Sequence, residues 1–190
     1  MNLRRNMNGS AAAQEPTAAK PGRRKKKPGK RAFSRTANAI LIVAAVSLLI
    51  ASFLFPVLMI SGDSMEPGLN DGDLVLLVKT RNMHTGDLVS FRWNGKTLLK
   101  RVVGCPGDWV MMDGQGRVYV NGALLDEPYV AEFGACEKDD VAYPFQVPED
   151  SFFVMGDNRI ASVDSRNTHV GCVRYDQIIG KGGVKLWPWK

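Results

Sequence analysis

Cysteine and histidine are scarce in this chain. Cys105, Cys136 and Cys172 are too few for a disulfide scaffold, and their spacing matches no zinc pattern. His84 and His169 lie 85 residues apart, and no His/Cys cluster surrounds either, which argues against a structural metal. Acid is nearly missing from the start: residues 1–35 hold 11 lysines and arginines against one acid, Glu15. The remaining 155 residues hold 14 basic and 18 acidic groups, so the net charge of +6 averages a basic tail and a mildly acidic body. An acidic body argues against nucleic-acid binding by the folded part. Helical periodicity is missing as well, because no 3.6-residue apolar repeat persists beyond residue 60. The 190 residues are 45% hydrophobic and 23% charged, which excludes a wholly disordered or collagen-like chain. That length allows one ordinary domain with appendages, or two very small ones.

What the sequence does contain is one long apolar run. Residues 37–60, ANAILIVAAVSLLIASFLFPVLMI, carry no charge over 24 positions. As a helix the run would extend about 36 Å, enough for a hydrocarbon layer of roughly 30 Å. A cleaved secretory signal would have a shorter apolar core and a small-x-small cleavage site, whereas VLMISGD follows here. A core helix rarely stays apolar on every face for so long. The run therefore reads as an uncleaved membrane anchor. The flanking KPGRRKKKPGKRAFSR places residues 1–36 on the cytoplasmic side by the positive-inside bias, and residues 61–190 on the other. Ala, Pro, Gly and Lys dominate the tail, which cannot bury enough apolar surface to fold. Its basic run suits a topology signal and attraction to anionic lipid.

The body reads as strand after strand. DLVLLVK (73–79) follows the turn Asn70-Asp71-Gly72-Asp73. DLVSFRW (87–93) and KTLLKRVV (96–103) flank Asn94-Gly95, a strong two-residue hairpin signal. Cys105-Pro-Gly-Asp108 closes that hairpin, and WVMMD (109–113) and RVYVNG (117–122) pair across Gly114-Gln-Gly116. SFFVMGD (151–157) and IIGKGGVKLW (178–187) add two more strands. Turn residues every 8–12 positions give an all-β body of antiparallel sheets, a sandwich or partly closed barrel, behind one transmembrane α-helix. The closing Lys185-Leu-Trp-Pro-Trp-Lys190 brings Trp187 and Trp189 into the reading, either at a lipid interface or packed on the sheet.

Three stretches could carry chemistry. Ser61-Gly-Asp-Ser-Met-Glu-Pro67 follows the apolar run and offers Ser64, although turn serines commonly only hydrogen-bond to backbone. Neither histidine has a motif that would make it the base for a serine. A neutral lysine can serve instead, and Lys100 lies among Leu98, Leu99, Val102 and Val103. Desolvation there would favour the uncharged amine. Read without chemistry, Lys100 snorkels from a strand edge. The third stretch, residues 156–166, places Ser162, Asp164 and Arg166 at alternate positions, on one face if the segment is extended. They form either a polar surface loop or a brace that orients a base.

SGDSMEP, GDLVLLVK, LLKRVVGCPGD and GDNRIASVDSR, in this order behind one apolar span, resemble the signature segments of the bacterial type I signal peptidase family. They cover about 35 positions between 61 and 166, and IIGKGG near the end is also similar. The resemblance implies a membrane-bound serine endopeptidase with an all-β fold, cutting signal peptides from exported preproteins at the outer membrane surface without metal or cofactor. It makes Ser64 the nucleophile and Lys100 the general base. Ser162 would hydrogen-bond the lysine amine, Asp164 and Arg166 would brace the loop, and the backbone at Ser64 and Gly62 would face the oxyanion. Met65, Leu69, Leu98 and Leu99 would line shallow pockets for small residues before the cut. The chain departs from the pattern at Gly62, where some members carry a hydroxyl donor, and at Gly68, Ile160 and Cys105. The segment between Val103 and Ser151 is short, as in the compact single-span members.

Self-cleaving repressor-type proteases use a similar Ser/Lys pair but lack a span, and a membrane-anchored peptide-binding β-domain would need no nucleophile. Protease added outside intact cells is expected to reach the body and spare residues 1–35. Digestion of the tail with the membrane sealed would reverse the assigned orientation.

Overall fold

The computed structural model describes residues 30–134 and 139–187. Cys136, Trp189 and most of the basic tail lie outside them. The chain divides into two compact units, residues 1–44 and 45–190. One helix, α1 (Lys30–Leu54), is followed by β1 (Val57–Met59), β2 (Leu74–Val78), β3 (Leu88–Trp93), β4 (Lys96–Gly104), β5 (Trp109–Met112) and β6 (Val118–Val120). Then come β7 (Ala123–Leu124), β8 (Phe145–Gln146), β9 (Ser151–Met155), β10 (Val173–Arg174), a 3₁₀ turn at Tyr175–Gln177, and β11 (Ile178–Trp187).

Within α1, residues 36–54 form a 19-residue stretch long and apolar enough to cross a membrane, and every one of them is exposed. That exposure excludes the core-helix alternative. The helix stops six residues before the end of the uncharged run, and the cause is Pro56. It has no N–H to continue the ladder, and its ring disfavours helical geometry at Phe55. Residues 57–59, read from the sequence as helix, are instead a strand whose Val57, Leu58 and Met59 pair with Leu76, Val75 and Leu74.

All the pairings are antiparallel. A seven-stranded sheet has the order β1-β2-β11-β3-β4-β9-β10, and a four-stranded sheet the order β7-β6-β5-β8. Asn94 and Gly95 both have positive φ, 48° and 75°, as the tight β3–β4 turn requires, and Trp93 pairs with Lys96 directly across it. The long last strand β11 inserts between β2 and β3, so the sheet is completed only when the end of the chain arrives.

Three apolar clusters hold the body. Val89, Phe91, Val102, Phe152 and Val154 form one on the seven-stranded sheet. A second joins Ile60, Met65, Leu69, Val75, Leu77 and Leu99, and thereby fastens the segment after β1 to β2 and β4. The third, with Val103, Phe153 and Met155 on one sheet and Val110 and Val118 on the other, packs the two sheets together. Phe153 is fully buried there, its ring 5.5 Å from that of Phe145. Phe153→Ala should cost about 3–5 kcal/mol, read as a lowered midpoint in denaturant titration. A loss below about 1 kcal/mol would mean that the sheets do not depend on this contact.

Candidate active site

Residues 60–64 leave β1 and return toward β2 in a loop held at both ends. Ile60 N–H donates to Asp73 O, and Gly72 N–H donates back to Ile60 O. Gly62 N–H donates to Asp71 Oδ1 at 2.8 Å. Met65 and Leu69 are buried just beyond, so the apolar cluster fixes the turn that carries Ser64. The Ser64 side chain meets Lys100 of β4: Nζ lies 2.6 Å from Ser64 Oγ, within hydrogen-bond distance. Lys100 is only 4% exposed. Burial pushes its pKa below the ordinary lysine value; the Asp164 carboxylate pulls it back up, and the Arg166 guanidinium pushes it down again.

The opposition of those two neighbours follows from their geometry. Arg166, fully buried, forks Asp164 through Nε to Oδ1 at 2.8 Å and Nη2 to Oδ2 at 3.0 Å. Asp164 Oδ2 also accepts from Gly156 N–H and from the Ser162 hydroxyl, at 2.8 and 2.7 Å. Arg166 reaches further, to Asp139 Oδ2 at 2.9 Å and to the carbonyls of Arg159 and Ser162. Asp164 thus carries a charge already paired and hydrogen-bonded. An unpaired carboxylate at this place would favour the ammonium form of Lys100 far more strongly.

Three expectations change here. Ser162, Asp164 and Arg166 do converge, but in a folded loop rather than on one face of an extended segment, with Ser162 N–H bonded to Asn158 O. The Ser162 hydroxyl donates to Asp164, and no hydrogen bond joins it to Lys100 among the described residues. Near Ser64, Gly62 N–H is taken up by Asp71 Oδ1, so it is not free for the oxyanion contact expected of it.

The cleft beside the Ser64–Lys100 pair is small, about 70 Å³, and runs between residues 58–61 and 97–100. Met65, Leu98 and Leu99, three of the four residues that the resemblance assigns to pockets, line it. Leu69 does not: it is a core residue packed with Ile60 and Val75. Leu58, Met59 and Ile60 take part instead. The early end of the helix is what turns them from membrane residues into cleft residues.

Several supporting residues escape a sequence reading. Arg101 bonds Asp157 at 2.7 and 2.6 Å through Nε and Nη2, and lies 3.9 Å over the Tyr129 ring. Burial opposes its charge, yet the Asp157 carboxylate holds its pKa above the ordinary value. Arg159 pairs with Glu127, both buried, and donates to Gly156 O. Asn158 N–H donates to Ser64 O at 3.2 Å, and its side-chain amide to Asp63 O at 3.3 Å. Charged and amide residues in a turn give no sequence signal of such burial. The alternation of β4 is the one hint, since it sends Arg101 to the face opposite Lys100.

The sheets thus bring a serine hydroxyl and a buried lysine amine together beside a shallow cleft. Comparison with known proteins gives the family. The model of the signal peptidase family, peptidase S26, matches residues 33–187. A signal peptidase I of Bacillus amyloliquefaciens is 35% identical over 164 residues, spanning 80% of this chain and 87% of that protein. Signal peptidase I S of Bacillus subtilis (strain 168) is 34% identical over 171 residues (84% and 92%), and signal peptidase I T of the same strain 36% over 167 residues (80% and 84%). The chain belongs to the signal peptidase family, peptidase S26, and is a peptidase.

The contact between the loop and the Ser64 segment is close enough to test. A Cβ on Gly156 would overlap Ser162 Oγ and Cβ and come within 2.5 Å of Ser64 O. Gly156→Ala should push the loop off the Ser64 segment, destabilise the protein by about 1–3 kcal/mol, and lower kcat/KM at least tenfold. Parent-like thermal unfolding and turnover would show that the two segments need not touch.

Proposed function

We propose that this chain is a membrane-anchored endopeptidase that removes signal peptides from exported preproteins with Ser64 as nucleophile and Lys100 as general base. The observation that carries the reading is the 2.6 Å approach of Lys100 Nζ to Ser64 Oγ in a site where the lysine is almost wholly buried. Family membership supports the substrate class.

The neutral amine takes the Ser64 hydroxyl proton as Oγ attacks the scissile carbonyl. The tetrahedral oxyanion faces the Ser64 backbone N–H, and the Lys100 ammonium returns its proton to the departing amine. Water then repeats the sequence on the acyl-enzyme, with Lys100 again accepting the proton. Asp164, Arg166 and Ser162 hold the loop that packs on this pair without touching the reacting atoms.

The cleft fits an extended peptide with small side chains. β9 pairs with β4 only from Arg101 onward, so residues 97–100 keep one backbone edge without a strand partner among the described residues. β1 likewise pairs with β2 alone. Substrate can therefore add as a strand beside either edge, and a volume near 70 Å³ selects Ala-sized side chains over large ones. Ser64 follows the end of α1 by ten residues, which keeps the cut close to a span shared with the signal peptide's own apolar helix. The basic residues before α1 orient it with the body outside. Exposed Val57, Met59, Val184 and Trp187 on the first and last strands of the body suit contact with lipid.

Detergent-solubilised full chain incubated with a preprotein tests the mechanism. Ser64→Ala should abolish cleavage, and Lys100→Ala and Lys100→Arg should each cost about 10²–10⁴-fold, since a guanidinium keeps its proton. In the parent, kcat/KM should rise with pH through a pKa below the ordinary lysine value and then level off, because the amine must be uncharged. Stability should move in the same direction: a lysine with a depressed folded pKa gains stability as pH rises from that value toward its unfolded one. Substantial activity in Lys100→Arg, or a rate independent of pH on this limb, would exclude Lys100 as the base.

A further inference from the structure

A solvent cavity near the end of α1 lies away from the cleft. It measures about 380 Å³ and is bounded by Lys79, Arg81, Tyr175 and Asp176, with Ile178 and Ile179 at its back. We propose that this cavity holds the phosphate of an anionic phospholipid headgroup, a site separate from the peptidase cleft; the inference rests on the reading of α1 as a membrane span.

Charge is the first support. Lys79 and Arg81 are exposed, and neither forms an ion pair among the described residues. The cavity's one carboxylate, Asp176, is engaged by Arg174 at 3.1 Å. Two uncompensated cations and a phenol hydroxyl make a donor set for a phosphate, with Arg81 able to fork two of its oxygens. Position is the second support. The last turn of α1 belongs to the same compact unit as the sheets. Lys79 N–H donates to Leu54 O, and its ammonium sits 3.8 Å over the Phe53 ring. The cation is thus tied to the point where the apolar helix ends, which is the depth of a headgroup. Phe53 and Val78, both exposed apolar side chains beside Lys79, offer a surface for the acyl chains. Free phosphate would have no use for it. The Tyr175 ring is braced edge-on against Phe152 at 4.8 Å, which fixes the wall that carries its hydroxyl.

The test uses the full chain in non-ionic detergent, titrated with phosphatidylglycerol, phosphatidylcholine or inorganic phosphate, with bound adducts counted by native mass spectrometry. The parent should retain phosphatidylglycerol in preference to both alternatives. Each cation near an anionic headgroup is worth about fivefold, so Lys79→Gln/Arg81→Gln should weaken retention at least tenfold with an unchanged thermal midpoint. Tyr175→Phe should weaken it about threefold or more at constant charge, and this keeps the test decisive if the double variant folds poorly. Arg117→Gln, in the turn between β5 and β6, should have no effect. Equal retention in the double variant, an equal loss in Arg117→Gln, or inorganic phosphate binding as well as the lipid would overturn the site. Flotation with phosphatidylcholine vesicles reports the span separately: a parent that fails to float counts against the anchor, whereas a floating parent without headgroup preference counts against the cavity.

Discussion

A lysine amine kept out of water beside a serine hydroxyl is the constraint on which the rest of this structure turns. An ammonium buried at Lys100 would need a counter-charge, and the carboxylate that acts on it most, Asp164, is one that the fold takes care to occupy. Arg166 forks it, Ser162 and Gly156 donate to it, and Asp139 draws on the far side of the guanidinium. Arginine suits this task because its planar fork binds the carboxylate bidentately while other donors reach carbonyls. The loop can therefore stay dry and polar together while burial still holds the lysine pKa below its ordinary value.

That arrangement explains why residues around the loop are charged yet buried. Arg101–Asp157 and Arg159–Glu127 are ion pairs with little exposure, and such pairs contribute little net stability compared with apolar packing. What they supply is direction. Arg101 lies on the strand that carries Lys100, and Asp157 follows Gly156, so the pair fastens that strand to the loop at one point. Arg159 attaches the same loop to Glu127, in the segment that follows β7. Breaking one partner would leave a buried charge uncompensated, which costs far more than the intact pair contributes.

Much of this was legible beforehand, and the exceptions have physical causes. Seven strands were readable because alternation and turn chemistry act locally, as at Asn94-Gly95. The two-residue strands β7, β8 and β10 carry no period to detect, since their pairing depends on neighbours rather than on their own residues. β1 was hidden inside an apolar run, where Pro56 was the only mark of a boundary. Leu58 was hidden in the same run, whereas Leu69 was misplaced because a pocket wall and a core wall have one composition, and only tertiary placement separates them. Ser64 and Lys100, 36 positions apart, were nameable through four motifs together. The hydrogen bond from Ser162 to Asp164 instead of to Lys100 was not, because alternate positions in a sequence say nothing about a loop that folds back on itself.

The end of one strand pairing finally links the cleft to the loop. β9 follows β4 until Met155 faces Arg101 and then leaves it at Gly156. Had the pairing continued, residues 156–160 would have occupied the edge of β4 at positions 97–100, where a peptide can add. By turning away, the chain instead brings Asn158 to the Ser64 carbonyl and Asp164 back to the Gly156 amide. The turn needs a residue with no side chain, because Ser162 and the Ser64 carbonyl both crowd the space where a Cβ would be. A single glycine therefore opens the strand edge and closes the loop on Ser64, so the free edge of β4 and the brace on the Ser64–Lys100 pair are set by the same departure of the backbone.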